Sequence, residues 1–438
     1  MAMRADAARA LCITLGMAAA CMAQKAPESG PAAGQIVAHP ANPRWLVRYD
    51  PGGRHKPFFM CGPGDPEGFL YRGKLRADGT RDGDQLKLIK KLKGTGANCV
   101  YLMAVRSHGG DGDRTENPFI DNDPKKGLNP KVLEQWDGWF AEMDRAGIVI
   151  YLFLYDDSAR IWKTGDAVGM PEKRFIQALV KRFKRHTHLI WCVAEEYQER
   201  FSAKRVSAIA AAIRKADDRR HPIAVHKLSG LDFSEFADDP NIDQFAIQCN
   251  ADTAERLHAG VVKAWKKARG KFNLNMSECA DHGTGKPAGI RKKSWASAMA
   301  GAYVMVLRMD IASTPVEALK DCGRLVKFFE STDFHEMAPH DELARGDTEY
   351  VLARPGRAYI AYSSRCTREL GLTGRFEGTY DLRWFDCATG KTVTRASVKI
   401  SAVNASFPRP AGLGKEVALY LCRRERAKPV ASRPVPVR

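Results

Sequence analysis

The sequence predicts an α/β chain, a (β/α)8 TIM barrel followed by a small antiparallel β-sandwich domain. Three observations predict it. Eight apolar runs of strand length recur between residues 57 and 309, with amphipathic helical stretches between them. These runs lack strict apolar/polar alternation, as expected of parallel strands covered by helices on one side and filled by a barrel core on the other. From about Thr348 the pattern changes to short strands punctuated by turn signals, Arg354-Pro-Gly356 and Ala388-Thr-Gly-Lys391.

At the N-terminus, Arg4 and Arg9 precede an apolar stretch from Ala10 to Ala20 and small residues before Gln24, the pattern of a secretory leader over residues 1–23. The expected location is therefore secreted or periplasmic, with lipoprotein anchoring through Cys21 as the alternative. Residues 24–38 are rich in Pro, Gly, Ala and Ser and read as a linker. The barrel is expected over 39–335. Its strands are read at Pro57–Cys61, Cys99–Val105, Ile148–Tyr155, Leu189–Val193, Pro222–Leu228, Gln244–Cys249, Phe272–Met276 and Val304–Met309.

The helices between them carry their own punctuation. Asn129 suits an N-cap, Pro130 the first helical position, and Leu133, Trp136, Phe140 and Met143 form one stripe before Gly147. Strands around Thr348–Ala353, Ala358–Ser363, Gly378–Phe385 and Glu416–Leu421 make up the β-domain over 342–425. A disordered basic tail with Pro429, Pro434 and Pro436 is expected over 426–438. No segment approaches the roughly 20 uninterrupted apolar residues of a membrane span.

The net charge is +18, from 69 Lys+Arg against 51 Asp+Glu, a field that favours anionic partners. The cations are dispersed along helices (Lys87, Lys90, Lys91, Lys93; Lys181, Arg182, Lys184, Arg185) rather than interleaved with aromatics. That argues against nucleic acid and leaves an acidic polysaccharide as a partner. Oligomeric state is left open. Of the 11 cysteines, Cys12 and Cys21 lie in the leader, so an odd number remains and at least one is free. Cys61, Cys99, Cys192, Cys249 and Cys279 sit in or beside apolar runs, where a thiol behaves as a small hydrophobe. No zinc-type spacing occurs, and neither a metal nor a cofactor is expected. The loop from His108 to Asp113 lacks the glycine and distal Glu of an EF-hand and reads as facing substrate.

In a parallel barrel the pocket lies at the C-terminal strand ends. Those ends supply Asp65, Glu67 and Tyr71; Arg106 and His108; Asp156 and Asp157; Glu195 and Glu196; His226; Gln248 and Asn250; Glu278; and Asp310. Two glutamates across one mouth, on the fourth and seventh strands, suit glycosidic bond cleavage: one protonates the departing oxygen while the other attacks or stabilises the anomeric carbon. The acid needs a raised pKa, which the Glu195-Glu196 doublet supplies by mutual repulsion. Tyr71, Tyr155, Trp162, Tyr197 and Trp295 are read as rings that stack on sugar faces.

Leu189-Ile-Trp-Cys-Val-Ala-Glu-Glu196 is similar to the acid/base strand of the large clan of retaining (β/α)8 glycoside hydrolases, and Met276-Ser-Glu278 resembles that clan's nucleophile strand. His39-Pro-Ala-Asn-Pro-Arg-Trp45, Lys56-Pro-Phe-Phe-Met60 and Arg291-Lys-Lys-Ser-Trp295 resemble apiosidase-like, cellulase-related bacterial barrels. Tyr350–Tyr359 and Trp384–Gly390 resemble the collagen-binding-type β-domain that follows such barrels. The likeness spans roughly residues 39–422. It implies an exported retaining glycoside hydrolase acting on a poly- or oligosaccharide, with Glu196 as acid/base and Glu278 as nucleophile. His108, Asp157, Tyr197, His226, Gln248, Asn250, Trp295 and Tyr71 would then bind substrate. The chain departs from the clan at Glu195, where an Asn is usual, and at Gln248, where many members place a Tyr. Which of Glu195 and Glu196 carries the proton stays open at this stage. A non-catalytic carbohydrate-binding barrel and a cell-surface adhesion protein are the alternatives.

Overall fold

The computed structural model describes residues 30–64 and 67–424. The leader, Cys21, Asp65 and the basic tail lie outside the described residues. Three short antiparallel strands come first: β1 (Ile36–Ala38), β2 (Leu46–Arg48) and β3 (Lys56–Phe58). Trp45, Leu46 and Phe58 are fully buried, and Ile36 N–H donates to the Thr187 carbonyl just ahead of a barrel strand. This small sheet closes the N-terminal end of the barrel. It also corrects two expectations: folded structure begins within the segment read as a linker, and the run at Pro57 is two elements, of which Lys56–Phe58 belongs to this sheet.

Eight parallel strands form the barrel: β4 (Cys61–Pro63), β5 (Cys99–Met103), β6 (Val149–Tyr155), β7 (Leu189–Ala194), β8 (Ile223–His226), β9 (Gln244–Gln248), β10 (Asn273–Glu278) and β11 (Ala302–Val306). They pair in the order β4-β11-β10-β9-β8-β7-β6-β5. The seam between β4 and β5 is completed by Asn98, whose side chain accepts from Cys61 N–H at 2.8 Å and donates to the Phe59 carbonyl at 2.7 Å. Its own N–H donates to the Cys61 carbonyl at 3.0 Å. Gly62 is required there, because a Cβ would lie 2.6 Å from the Cys99 carbonyl oxygen.

Helices α1 (Gln85–Lys93), α2 (Pro130–Arg145), α3 (Met170–Phe183), α4 (Ala203–Ala216), α5 (Ala254–Lys267), α6 (Pro287–Met299) and α7 (Val316–Glu330) cover the barrel. The punctuation of α2 is as read: Asn129 accepts from Lys131 N–H and Pro130 opens the helix. None of the helices among the described residues is long and apolar enough to cross a membrane.

The C-terminal domain is one antiparallel seven-stranded sheet of β12 (Ala338–Pro339), β13 (Ala344–Gly346), β14 (Tyr350–Arg354), β15 (Ala358–Ser363), β16 (Glu369–Asp386), β17 (Thr392–Pro408) and β18 (Val417–Arg423). It begins at Ala338, ahead of the expected boundary at Glu342. Alternate residues serve two cores. Tyr350, Leu352, Ile360, Tyr362, Phe385 and Tyr420 pack towards the barrel, while Val351, Tyr359, Ala361, Trp384, Leu419 and Leu421 build the sheet's own core. Two register shifts in β16 let this long strand bend. Strand β17 was not foreseen, because it is largely exposed and carries little apolar signal.

The two domains are joined along α5, α6 and α7. Arg291 on α6 bonds Glu416 at 2.9 and 2.7 Å and Asp321 on α7 at 3.0 Å. Trp295 stacks on Tyr362 with ring centroids 5.1 Å apart, and His258 stacks on Tyr350 at 3.7 Å. All nine described cysteines are free thiols, and all but Cys249 and Cys422 are buried.

Replacing Asn98 by Ala would strand the Cys61 N–H and the Phe59 carbonyl at the barrel seam. The expected cost is on the order of 2–4 kcal/mol in urea-unfolding free energy, whereas an unchanged midpoint would show that another group closes the seam.

Candidate active site

The seventh barrel strand, β10, delivers Glu278 at its last position, and the fourth, β7, runs directly into Glu195 and Glu196. Glu195 continues the inward direction and is 8% exposed. Glu196 leaves it. Its φ of 35° and ψ of 47° are left-handed, a conformation that costs a non-glycine residue roughly 1–3 kcal/mol and that clusters at functional sites. That turn swings the Glu196 side chain into the mouth. It is held by Glu196 N–H, which donates to Nδ1 of His226 at 3.0 Å.

This bond fixes the His226 tautomer. Nδ1 is an acceptor, so Nε2 carries the hydrogen and points at Glu278, with Nε2 3.7 Å from Oε2. Complete burial pushes the imidazole down to about 3, so it is a neutral N–H facing a carboxylate. Gln248, at the end of β9, donates from Nε2 to Glu196 Oε1 at 2.8 Å. Its amide also acts to lower the pKa of Glu278.

Their protonation states differ. Burial, then the charge of Glu278, pushes Glu196 up to about 8. Burial also raises Glu278, but hydrogen bonds from Gln248 and from Glu196 act against it. Both carboxyls are raised, and Glu196 is the one pushed far enough to hold a proton at neutral pH.

Beneath this pair lies a second acidic group. Tyr101, on β5, donates to Glu195 Oε1 at 2.5 Å. Burial, with the charges of Glu67 and Asp156, drives Glu195 well above the carboxylate range, and its carboxyl lies within 4.8 Å of those of Asp156 and Asp157. Arg106 in turn bonds Asp156 at 3.0 Å, Glu116 at 3.1 Å and Glu67 at 3.2 Å. Asp157 faces Glu196 and Glu199, with carboxylate oxygens of the three within 4.8 Å. Burial and the charges of Asp156, Asp111 and Glu199 push Asp157 up to about 7.

Glu195, His226 and Glu278 also present ligand atoms within 4.8 Å of one another.

The structure brings Glu195, Glu196, Glu278, His226, Gln248 and Asp157 together. Asn250 lies on the exposed rim, where its Oδ1 accepts from Ala280 N–H at 3.2 Å and pins the turn after Glu278. His108 is one loop away, its ring edge-on to Phe119 at 6.2 Å.

Four aromatics read as sugar platforms are not exposed at the mouth. Tyr155 is fully buried against Phe175 and Phe201 and donates to Glu172 at 2.8 Å. Trp295 is fully buried between α6 and the β-domain, because the helix period turns it outward from the barrel. Tyr71 is buried against Trp136, with its hydroxyl bonded to the Ala104 carbonyl. Tyr197 is buried against Phe236 and donates to Glu235 at 2.6 Å, anchoring the turn after Glu196. Asp310 bonds Ser313 rather than the glutamates. Tyr101 and Glu199 were missed. Tyr101 lies within an apolar strand, where its inward direction is set by the strand's period alone.

Residues 56–305 match the family described as apiosidase-like, catalytic domain. A glycoside hydrolase structure superposes with a TM-score of 0.65 at 16% identity, over 90% of this chain and 98% of that one. A family 5 glycoside hydrolase from Bacteroides vulgatus gives 0.67 at 15% identity, over 89% and 94%. No curated protein matches.

Because Gln248 lowers the pKa of both glutamates, its replacement by Met should move both limbs of the kcat/KM pH profile upward. With Glu278 acting ionised and Glu196 acting protonated, the expected order is Glu278 on the acid limb and Glu196 on the alkaline limb. Unmoved limbs with a lower plateau would show that Gln248 does not set the charge balance.

Proposed function

The chain belongs to the apiosidase-like family of (β/α)8 glycoside hydrolases, and from that premise we propose that it is an exported enzyme cleaving the glycosidic bonds of a poly- or oligosaccharide by a retaining mechanism. The observation that carries the reading is the pair of glutamates at the ends of the fourth and seventh strands, of which Glu196 is pushed up to about 8 by burial and by the charge of Glu278. A retaining mechanism calls for carboxyls about 5–5.5 Å apart, against the 6.5–9.5 Å that makes room for a water in inverting enzymes.

Glu278 attacks the anomeric carbon while Glu196 gives its proton to the leaving oxygen, so a glycosyl ester forms at Glu278 and the aglycone departs neutral. Glu196, now ionised, takes a proton from water, which attacks the same carbon and releases Glu278. The His226 Nε2–H faces Glu278 and stabilises its charged state before attack and as it departs. The raised pKa of Glu196 speaks against a purely binding barrel, in which nothing would require a carboxyl that holds its proton at neutral pH.

Glu195 is not the acid in this reading. Its Oε1 accepts from Tyr101, it is shut off from the leaving group, and it stands as a neutral hydrogen-bonding acid in the position where related enzymes carry an amide. The family's name makes apiosides the first bonds to test.

Glu278→Gln should lower turnover of an aryl glycoside at least about 1,000-fold, and proton NMR of the first product from the parent should show the substrate's anomer. Full activity in the variant, or the opposite anomer, overturns the assignment. Glu195→Gln, isosteric with the neutral acid, should keep activity within about threefold and leave the pH profile in place, while Glu195→Ala, which removes the hydrogen-bonding group, should lose about tenfold or more. An alkaline limb that disappears in Glu195→Gln would make Glu195 the acid.

A further inference from the structure

Beside the mouth, between the loops that follow β5 and β6, lies a cavity of about 980 Å³ that none of the proposed catalytic residues lines. Its walls combine two kinds of group. Phe119 and Trp162 form an aromatic side, with centroids 6.2 Å apart and rings nearly perpendicular. Lys125, Lys163 and Arg174 supply cations on the other, and none of the three has an ion-pair or side-chain hydrogen-bond partner among the described residues. Lys126 is also at the wall, but its ammonium is taken by Asp121 at 2.8 Å. Of the acids on the lining, Asp123 accepts from Lys125 N–H at 2.9 Å, and Glu172 is buried in a pair with Arg205 at 2.8 Å.

The aromatic side is held from behind. Trp162 Nε1–H donates to the Tyr155 hydroxyl at 3.2 Å, and that hydroxyl donates to Glu172 at 2.8 Å. A half-buried indole oriented by its own N–H presents a flat apolar surface of the sort that sugar C–H faces cover. Cations without protein partners around it supply the charge-assisted bonds that a carboxylate or sulfate accepts.

The cavity is coupled to the mouth by one loop. His108 lines it, and the His108 carbonyl accepts from Arg160 N–H at 3.0 Å. Gly110 in the same loop is pressed against the Asp157 carbonyl, which a Cβ would approach to 3.0 Å. Asp157 is the residue whose carboxylate faces Glu196. The His108 loop thus borders the cavity on one side and packs on the backbone of Asp157 on the other.

We infer that this cavity is an anionic-sugar subsite, in which the Trp162 ring stacks on a sugar bearing a carboxylate or sulfate while Lys125, Lys163 and Arg174 bind the acid group. The inference rests on the reading of the mouth as a glycosidase site and adds the substrate class that the net charge of +18 favours.

The test uses the full chain and reads binding and catalysis separately. Tryptophan emission and calorimetry would follow titration with oligogalacturonate, with a sulfated glycosaminoglycan oligosaccharide and with a neutral cello-oligosaccharide of equal length. At least one anionic oligosaccharide should bind about tenfold tighter than the neutral one, more weakly as salt rises, and Lys163→Ala/Arg174→Ala should remove most of that difference. The double variant should melt with the parent and hydrolyse a neutral aryl glycoside at the parental rate. Preference for the uronate or for the sulfate would identify the acid group. Equal binding of neutral and anionic oligosaccharides, or undiminished anionic binding in the double variant, overturns the subsite. Loss of aryl-glycoside hydrolysis in Glu278→Gln is read independently of either result.

Discussion

The mouth of this barrel buries more acid than its cations can neutralise. Arg106 is the guanidinium among Glu67, Glu116 and Asp156, and among the described residues Glu195 accepts from the Tyr101 hydroxyl alone. Ionising every member in a low-dielectric interior would be prohibitive, so protons stay bound. This constraint assigns the roles above it. Glu195 is neutral, so it adds no second charge beside Glu278. Glu196 holds a proton because it is buried and lies beside Glu278, and the neutral His226 can face Glu278 without competing for that proton.

Much of this was legible because strand ends are legible. Glu278, Gln248 and His226 each terminate an apolar run, and the pocket of a parallel barrel is built from such positions. The doublet Glu195-Glu196 was visible, but its division of labour was not. It depends on the left-handed backbone at Glu196, which turns one carboxylate outward and leaves its neighbour beneath. Tyr101 was invisible for a related reason, since a tyrosine in a strand reads as core until the strand's direction is known.

The errors have physical causes too. The run at Pro57–Cys61 is apolar throughout because a hairpin strand and the first barrel strand follow each other with hardly a break. Trp295 and Tyr362 form a stacked pair between domains, so an aromatic near a site segment was packing rather than recognition. The β-domain strands are apolar on both faces where two cores meet, and β17 is polar because its residues meet solvent. Fold class was therefore readable from period and count, whereas side-chain direction needed the register.

The central claim is that Glu278 becomes covalently linked to sugar while Glu196 holds the proton. The most direct measurement is intact and peptide mass spectrometry of the protein incubated with activated 2-deoxy-2-fluoro glycosides, whose glycosyl-enzyme intermediates hydrolyse slowly. The account predicts one added glycosyl group, on the peptide carrying Glu278. A label on Glu195 or Glu196, or turnover of these reagents with inversion and no adduct, would contradict it.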